Sequence, residues 1–532
     1  MAVDVDVVVI GSGAGGMSAA VALARAGKRV QVVEQHTLPG GWCHSFDLDG
    51  YSFSPGVHYL GELGPGGRLR EVYEGLGLGA DLAFYELDPN GYDQIHVGDG
   101  FRFDVPRGRE AYCERLAARF PSDAAGIQRL FGLFHSIGRE IGRFASDEGA
   151  SIEWFRRPPD LFRHGLRPLQ KVVDEHLTDP LAKAVVLAVA GDHGMPPERC
   201  PTALHAAVAA HYFEGAWYPK GGARALPKAF IKELRRNGGE IRVGAKVEQI
   251  LVERGRAIGV RLAGGDEIRA TDVVSNADPT VTAGLLPQGT VPWRWRLRLP
   301  RTRYSSSSMS LFMASDLDPR RHGITSGNVW LISGLDADPF GFAADPDPLR
   351  RTDVPAVFLT CTTSKDPTKR RDKIATFEAF TFVSWDAFGA FDGTDGARPP
   401  AYDALKEALA DRMLDVIERR IPGFRASLVF RSVGTPLTNR HYVAGTRGSM
   451  YGTEKAWYNI GPMAFGPKSP VPGLWMAGAS ALAHGVAGAT HSGVGVAKEL
   501  LRCKTSDLLG SPGAPVTLLQ AEPSEARVAA GG

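Results

Sequence analysis

Cysteine is scarce in this sequence of 532 residues. The five cysteines lie far apart, at Cys43, Cys113, Cys200, Cys361 and Cys503. They form no C-x-x-C pair, and their odd number leaves one unmatched. This pattern argues against a disulfide framework and against a zinc site, so we expect no metal. It fits a reducing compartment such as the cytoplasm.

Long apolar runs and a strong charge of one sign are also missing. The formal net charge is +2, which gives no electrostatic basis for nucleic acid as a partner. The most apolar long segment, 473–497, is interrupted by His484, His491 and several glycines, so we expect no membrane span. Apolar residues make up 43% and charged residues 23%, which is typical of a globular chain, and the length predicts several domains.

What is present at the amino terminus is a complete β-turn-α-β unit. Val5 to Ile10 form a continuous apolar run, long enough for a buried parallel strand. A glycine-rich turn at 11–16 follows, and then an alanine-rich helix that ends near Ala26. A second strand, 29–33, ends at Glu34. This order of elements predicts a Rossmann-type dinucleotide-binding domain.

The glycine-rich turn has the G-x-G-x-x-G spacing that a bound dinucleotide requires. Gly11 permits the tight turn, Gly13 lets backbone N–H groups approach a pyrophosphate, and Gly16 lets the helix pack on the strand. The helix N-terminus directs its partial positive charge at the phosphates. Glu34, at the end of the second strand, is placed to accept hydrogen bonds from both ribose hydroxyls.

A glycine pair, Gly40-Gly41, distinguishes FAD from NAD. A second close approach to the phosphates suits FAD, whereas a plain NAD domain does not need one. Read alone, the pair also fits an ordinary loop turn. No second G-x-G-x-x-G follows a strand, so no dedicated NAD(P)H domain is visible. The electron partner is then a quinone, NAD(P)H or a redox protein.

The rest of the chain alternates between αβ blocks and long insertions. One block begins at Lys220 and has a helix, several short strands and a hairpin turn at Gly264-Gly265. A last block, 473–501, predicts a strand, a glycine-rich turn and a helix. We expect an FAD-binding domain in three parts (1–89, 206–285 and 436–504), an α+β substrate domain in two parts (90–205 and 286–435), and a disordered tail (505–532). The fold class is therefore α/β, with the two domains interleaved.

Several segments resemble the phytoene desaturase superfamily of flavoproteins, and in particular its branch of retinol saturases and carotenoid cis–trans isomerases. The segments that resemble this branch are 34–46, 56–61, 434–440 and 447–452, and those that resemble the superfamily more broadly are 219–222, 275–279, 473–478 and 485–489. The resemblance spans residue 5 to about residue 502 and is patchy across both insertions. It implies a fold of the glutathione-reductase and amine-oxidase type.

The resemblance also implies which residues bind FAD. The ADP half is expected at Gly11, Gly13, Ala14, Gly15, Gly16, Glu34, Gln35, Gly40 and Gly41. Val247 is expected to offer its backbone to the adenine, and Gly478 and Ala479 to face the ribityl chain. Val486, Ala487 and Thr490 are expected to place a helix start near the flavin's pyrimidine end.

His58 and Tyr59 are the candidate catalytic residues, because the first glycine-rich segment leads the chain towards the flavin there. The alternative is a partly buried pair that satisfies backbone groups. Cys43 is interpreted as a packed thiol rather than a nucleophile, since nothing in the sequence marks it as activated.

The implied activity is redox chemistry on an apolar conjugated polyene, such as a retinoid- or carotenoid-like lipid. The first hypothesis is reduction of one double bond by hydride transfer from flavin N5. Cis–trans isomerisation with reduced FAD, carotenoid desaturation, and a flavin-containing binding protein without turnover are the alternatives. Residue types do not distinguish the direction of hydride transfer.

Two basic, aromatic stretches suggest peripheral contact with a membrane. They are Trp154-Phe155-Arg156-Arg157 with Leu161-Phe162-Arg163, and Trp293-Arg294-Trp295-Arg296-Leu297-Arg298. Aromatic rings suit headgroup depth, and cations suit anionic lipid. The alternatives are a solvated face or a dimer contact, and the alternating second stretch also suits a strand with one cationic face.

Overall fold

The computed structural model describes residues 3–145, 159–393 and 398–520. Its strands are β1 (Val5–Ile10), β2 (Val30–Val33), β3 (Phe46–Leu48), β4 (Tyr51–Phe53), β5 (Ala83–Glu86), β6 (Asp93–Val97), β7 (Phe101–Val105), β8 (Trp217–Pro219), β9 (Glu240–Arg242), β10 (Val247–Glu253), β11 (Arg256–Leu262), β12 (Glu267–Ser275), β13 (Ser307–Ser315), β14 (Asn328–Ile332), β15 (Ala356–Cys361), β16 (Ala375–Val383), β17 (Leu428–Gly434), β18 (Leu474–Met476) and β19 (Thr517–Leu519).

The helices connect and cover these strands. They are Ala14–Arg25, Arg68–Gly75, Arg109–Arg119, Ala124–Ala145, Asp160–His164, Leu169–His176, Pro180–Leu187, Thr202–Tyr212, Ala225–Arg236, Pro279–Gly284, Trp293–Arg298, Pro339–Ala344, Thr362–Lys365, Trp385–Phe388, Pro400–Arg420, Pro436–Val443, Gly485–Leu501 and Thr505–Leu509. Among the described residues, no helix has both the length and the apolar character needed to cross a bilayer.

The first sheet contains the predicted dinucleotide-binding unit. Its order is β10-β11-β12-β1-β2-β9, with β18 also paired to β12. The central neighbours β12, β1, β2 and β9 are parallel. The inner residues of β1 are fully buried, as the apolar run predicts. The strand-turn-helix-strand prediction is confirmed, with the second strand beginning at Val30.

Two helices lie so close together on this sheet that side chains would not fit between them. A Cβ on Gly493, in the helix Gly485–Leu501, would lie 2.1 Å from the Gly15 carbonyl oxygen. The Ser18 hydroxyl donates to the Thr490 carbonyl oxygen at 2.8 Å. The last long helix of the chain therefore packs directly on the first one.

The second sheet takes its strands from two distant stretches of chain. Its order is β17-β13-β16-β15-β14-β6-β7, and all its neighbours are antiparallel except β14 and β6. Every residue of β16 is buried, so both faces of this strand are covered. Because the strands fall within 93–105 and 307–434, between parts of the first sheet, the α/β fold with interleaved sheets is confirmed.

Two expectations need correction. Residues 505–520 are not a loose tail, because they form the helix Thr505–Leu509 and the strand β19, which pairs in parallel with β5. Backbone pairing therefore fixes this segment, and 521–532 lie outside the described residues. The basic stretch at 293–298 is a helix rather than an alternating strand. Pro292 precedes it, and Trp295 is the buried position of its single turn.

Candidate active site

A cavity of about 1590 Å³ joins the two sheets. Its volume exceeds the roughly 300–1,000 Å³ that is usual for a drug-sized ligand, so it has room for a large cofactor and a second molecule. Glycine-rich backbone from the first sheet lines one end. Apolar side chains line the other, among them Leu161, Leu204, Val208, Phe358, Phe380 and Ile460.

The glycine-rich end fits a diphosphate group because side chains would fill it. A Cβ on Gly13 would lie 2.7 Å from Asn276 Nδ2, and one on Gly15 would lie 2.5 Å from the Gly478 nitrogen. Gly11 has a φ of +89°, which disfavours any residue with a side chain. The Gly15 contact is with backbone, which yields less readily than a flexible side chain. Backbone N–H groups at a helix start are thereby left open to a phosphate.

Asn276, a residue to which the sequence analysis gave no role, organises this end. Its Oδ1 accepts the Gly16 N–H at 2.9 Å, and its own N–H donates to the Ile10 carbonyl oxygen at 2.9 Å. It follows β12, whose neighbour β1 ends at the fingerprint loop. A polar residue directly after a strand beside the fingerprint strand is the signal that would have found it, since ligands bind at the carboxyl ends of parallel strands.

Glu34 lies in the cavity wall directly after β2. Its carboxylate accepts the Ser12 N–H at 2.8 Å, the Ser12 hydroxyl at 2.6 Å and the His36 N–H at 2.9 Å. The Ser12 hydroxyl oxygen in turn accepts the Gly40 N–H at 2.9 Å. Glu34 therefore holds the fingerprint loop to the second glycine pair, and Oε1 retains capacity for a ribose hydroxyl.

Most of the predicted cofactor-binding residues line this one cavity. They are Gly11, Gly13, Ala14, Gly15, Glu34, Gln35, Gly40, Gly41, Val247, Gly478, Ala479, Val486 and Ala487. Gly16 does not line it and instead packs against the turn, since a Cβ there would lie 2.2 Å from the Gly11 carbonyl oxygen. Thr490 does not line it either. Its hydroxyl donates to the Val486 carbonyl oxygen at 2.8 Å, within the helix whose first residues, Val486 and Ala487, line the cavity.

Both catalytic candidates also line the cavity, and both meet carboxyl groups. His58 Nδ1 lies 3.2 Å from Glu378 Oε2. The Tyr59 hydroxyl donates to Asp192 Oδ2 at 2.5 Å, and its ring stacks on Tyr212 with 4.3 Å between centroids. The side chains of His58 and Tyr59 therefore contact other side chains. In the alternative interpretation of the pair, they would satisfy backbone groups.

A buried group of ionisable residues behind Tyr59 was not found from the sequence. Burial raises the pKa of Asp93 to about 7. Burial and the charge of Asp93 raise the pKa of Asp192 to about 8. Burial lowers the pKa of Lys365 to about 7 and that of His484 to about 4. These residues come from distant segments, and their types are common, so no local pattern identifies them.

Cys43 is a packed thiol, as the sequence analysis proposed. Burial raises its pKa to about 12, so it carries no thiolate near neutral pH. Within 3–145, 159–393 and 398–520, no three His, Cys, Asp or Glu side chains are grouped as metal ligands would be.

A glycine cradle, an acid after the second strand and an apolar chamber in one cavity define a dinucleotide-dependent oxidoreductase. A family model described as "Flavin containing amine oxidoreductase" matches residues 14–380, which is more than half of the chain. The chain therefore belongs to this family of flavoproteins, and FAD, the cofactor predicted from the sequence, is confirmed.

Relatives and solved structures agree with this assignment. The chain is 28% identical over 517 residues to all-trans-retinol 13,14-reductase of Danio rerio, covering 91% of this chain and 84% of that protein. It is 27% identical over 518 residues to prolycopene isomerase of Daucus carota, covering 92% and 78%. An oxidoreductase from Methanosarcina mazei has a similar fold, with a TM-score of 0.65 and 16% identity over 93% of this chain and 100% of that one.

Proposed function

We propose that this protein is an FAD-dependent oxidoreductase that reduces one C=C bond of a conjugated apolar polyene, a retinoid- or carotenoid-like lipid. The observation that carries the proposal is the single cavity, which joins the glycine cradle to an apolar chamber. A small polar substrate would gain nothing from such a chamber, whereas a long hydrocarbon buries its surface there. The names of the reductase and isomerase relatives support the same class of substrate.

The residues of the chain bind the cofactor, orient the substrate and exclude water. The loop that contains Gly11 and Gly13 receives the diphosphate, and Glu34 receives the ribose. FAD, when bound, supplies two-electron hydride chemistry. Phe358, Phe380 and the other apolar side chains hold the polyene and keep water away from the reacting carbons.

Cis–trans isomerisation is the second candidate, supported by the prolycopene isomerase relatives, and desaturation is the third. A Danio rerio relative, 26% identical over 542 residues, is named an inactive all-trans-retinol 13,14-reductase, which keeps the non-catalytic binding protein as an alternative. The cavity formed by the described residues is equally compatible with reduction, isomerisation and desaturation, because the same flavin geometry serves each of these reactions.

One experiment separates the four. The purified protein is reduced anaerobically, incubated with a panel of retinoids and carotenoids, and the products are examined by mass and by chromatography. A gain of two hydrogens supports the proposal. Unchanged mass with a new geometric isomer supports isomerisation. A polyene that loses two hydrogens in a parallel incubation with the oxidised protein supports desaturation. FAD-loaded protein that converts no polyene would favour the binding protein.

We further propose that a lipid surface delivers the substrate. Trp293 and Leu297 are 60% and 54% exposed, and Arg294 and Arg296 lie beside them. Arg298 joins this helix to the cavity wall, because it donates to the carbonyl oxygen of Met463, which lines the cavity and is 40% exposed. Of the first predicted stretch, Trp154–Arg157 lie outside the described residues. Leu161, Phe162 and Arg163 lie in the helix Asp160–His164, where Phe162 is 63% exposed and lines the cavity with Leu161.

Vesicle flotation tests the lipid surface with a matched pair of variants. Arg294→Ser with Arg296→Ser should weaken binding to anionic vesicles, since each arginine contributes about 1 kcal/mol near such a surface. Arg320→Ser with Arg321→Ser removes the same charge from another exposed position and should leave binding unchanged. Equal effects of the two pairs, or no flotation at low salt, would exclude a specific membrane surface. The electron partner is expected to be a quinone, NAD(P)H or a redox protein. NAD(P)H, a quinol or a reduced redox protein is added to the oxidised protein and flavin bleaching is followed, and a quinone is added to the reduced protein and the return of the flavin colour is followed.

A further inference from the structure

Tyr59 stands between two carboxyl groups, the buried Asp93 and the half-buried Asp192. Its hydroxyl oxygen lies 2.5 Å from Asp192 Oδ2 and 3.4 Å from Asp93 Oδ2. Asp93 is fully buried, whereas Asp192 reaches the cavity wall. The three groups thus form a line from the interior of the second sheet to the chamber where a polyene would lie.

The hydrogen bonds around Asp93 fix where a proton can reside. Lys365 Nζ donates to the carbonyl oxygen of His58 at 2.5 Å and also to Asn328 Oδ1. The Asn328 amide is thereby oriented so that its Nδ2 donates to Asp93 Oδ1 at 3.0 Å, and Trp330 Nε1 donates to the same oxygen at 3.2 Å. Asp93 Oδ1 is therefore occupied by two donors, and any proton on this carboxyl sits on Oδ2, facing Tyr59.

The proton count requires a neutral carboxyl. One tyrosine hydroxyl carries one hydrogen, so it can donate to only one of the two carboxyls at a time. Lys365 donates to other groups and to neither carboxyl, so its charge offsets the effect of burial on Asp93 only in part. Two carboxylates in one buried site cannot both be charged at low cost. Burial accordingly raises the pKa of both, to about 7 for Asp93 and about 8 for Asp192.

We propose that Asp93, Tyr59 and Asp192 form a proton store that supplies the polyene with the proton of its reduction. The proposal rests on the proposed function, which it deepens by assigning the proton donor. Saturation of a C=C bond adds a hydride, with its two electrons, to one carbon. The two electrons of the π bond form the second C–H bond with a proton, which comes from the Tyr59–Asp192 pair.

The balance closes within this group and solvent. The hydride comes from a reduced flavin, the class of reductant that the proposed function requires. If the Tyr59 hydroxyl gives its proton to carbon, the neutral carboxyl reprotonates it through their hydrogen bond. If the Asp192 carboxyl gives its proton, it becomes the carboxylate and accepts the Tyr59 hydroxyl. The store is then left with one more carboxylate, which regains its proton from water. Tyr59 and Asp192, which line the cavity, are the catalytic residues in this scheme, and Asp93 is a positioning residue.

The store can be detected without turnover. A protonated carboxyl has a carbonyl-stretch infrared band that shifts in D2O. The difference spectrum between the wild-type protein and Asp192→Asn should contain this band at pH 6 and lose it as the pH rises through about 8. In Asp93→Asn the Asp192 band should disappear at a lower pH, because the neighbouring charge is gone. Each variant is compared with the wild-type protein. If the band is absent from the difference spectrum of Asp192→Asn and from that of Asp93→Asn, the group stores no proton and the inference is wrong, whatever the rates of polyene reduction.

The rate of polyene reduction then tests whether this group delivers the proton. Asp192→Asn keeps an acceptor for the Tyr59 hydroxyl but holds no acidic proton, and Tyr59→Phe removes the hydroxyl. Each should reduce the polyene about a hundredfold or more slowly, the usual contribution of a positioned general acid, with FAD content unchanged. Tyr92→Phe is the matched control, since Tyr92 is a buried tyrosine beside Asp93 that does not line the cavity.

The outcomes distinguish this inference from the proposed function. If the wild-type protein binds FAD and converts no polyene, the proposed function is wrong. If it reduces a polyene and Asp192→Asn and Tyr59→Phe do so at the same rate, the proton has another source. Tyr59→Phe decides the matter if Asp192→Asn does not fold. Slowing by Tyr92→Phe equal to that by Tyr59→Phe would assign the effect to packing and overturn the inference.

Discussion

The two ends of the cavity are built from different parts of the polypeptide. At the cofactor end, glycines such as Gly13 and Gly15 leave backbone exposed, and the important property is the absence of side chains. At the substrate end, Tyr59, Asp93 and Asp192 meet through their side chains. Backbone recognition needs neighbouring positions in one loop, whereas a side-chain network can draw on segments that are far apart. Adding a methyl group at the cofactor end should therefore abolish FAD binding. Substitutions at the substrate end should have graded effects.

The largest expected effect is from adding one carbon to the cofactor end. Gly15→Ala places a Cβ within 2.5 Å of the Gly478 nitrogen, so the protein should lose its FAD and be colourless. Gly132→Ala makes the same change in another helix, where nothing lies within 4 Å, and should be yellow and slightly more stable. Flavin absorbance per chain checks both. A yellow Gly15→Ala protein would show that this backbone contact is not required.

Glu34 should give the next largest effect. Glu34→Ala removes a charge-assisted acceptor worth about 1.5–3 kcal/mol, so FAD should bind roughly ten- to a hundredfold more weakly. Glu34→Gln retains one oxygen for the Ser12 hydroxyl and should lie between alanine and wild type. Titration of the apoprotein with FAD measures all three. If the affinity for FAD is unchanged in both variants, a residue other than Glu34 contacts the ribose.

The substrate end should respond to pH more than to small changes of shape. The pKa of Asp192 rises from 3.8 to about 8 on folding, because of burial and then the charge of Asp93. The folded state therefore holds the proton more tightly, and the stability that this group contributes is complete below pH 3.8 and is lost as the pH rises towards 8. Tyr59 and Tyr451 flank it, and His484, whose pKa burial lowers to about 4, stays neutral between pH 5 and pH 8.

Asp192→Asn removes that pH dependence. Between pH 5 and pH 8 the melting temperature of the variant should therefore rise relative to that of the wild-type protein, by a few degrees, about 2–4 °C for each kcal/mol or less in a chain of this length. Thermal unfolding at a series of pH values measures the difference. A constant offset between the two proteins would mean that Asp192 folds in its charged form.

Thr490 should give the smallest effect. Its hydroxyl donates to the Val486 carbonyl oxygen and does not reach the cavity. Thr490→Val should therefore cost about 1 kcal/mol of stability and change FAD affinity less than about twofold. A large loss of FAD from Thr490→Val would show that Thr490 is part of the cofactor site. Chemical unfolding and FAD titration provide the two measurements.

The same contrast explains how much the sequence could predict. The β1-turn-helix-β2 unit and the acid Glu34 were found because neighbouring residues encode them. Asn276 lay in a segment whose role was not assigned, although its position after β12 was informative. Asp192 and Lys365 could not be found, since only the packing of segments far apart in the chain brings them to Tyr59 and Asn328. The order of the segment 505–520 was missed because a short strand that adds to a sheet edge carries little composition signal.

The contact between Gly15 and Gly493 also has a consequence for biosynthesis. The fingerprint loop leaves the ribosome long before the helix Gly485–Leu501, which covers the helix Ala14–Arg25. Until then the face of the first helix that packs against Gly485–Leu501 is open, and chaperones or proteases can reach it. An interrupted chain would carry the whole fingerprint and still lack a closed flavin site. A closed flavin site can thus form only after the helix Gly485–Leu501 has been made.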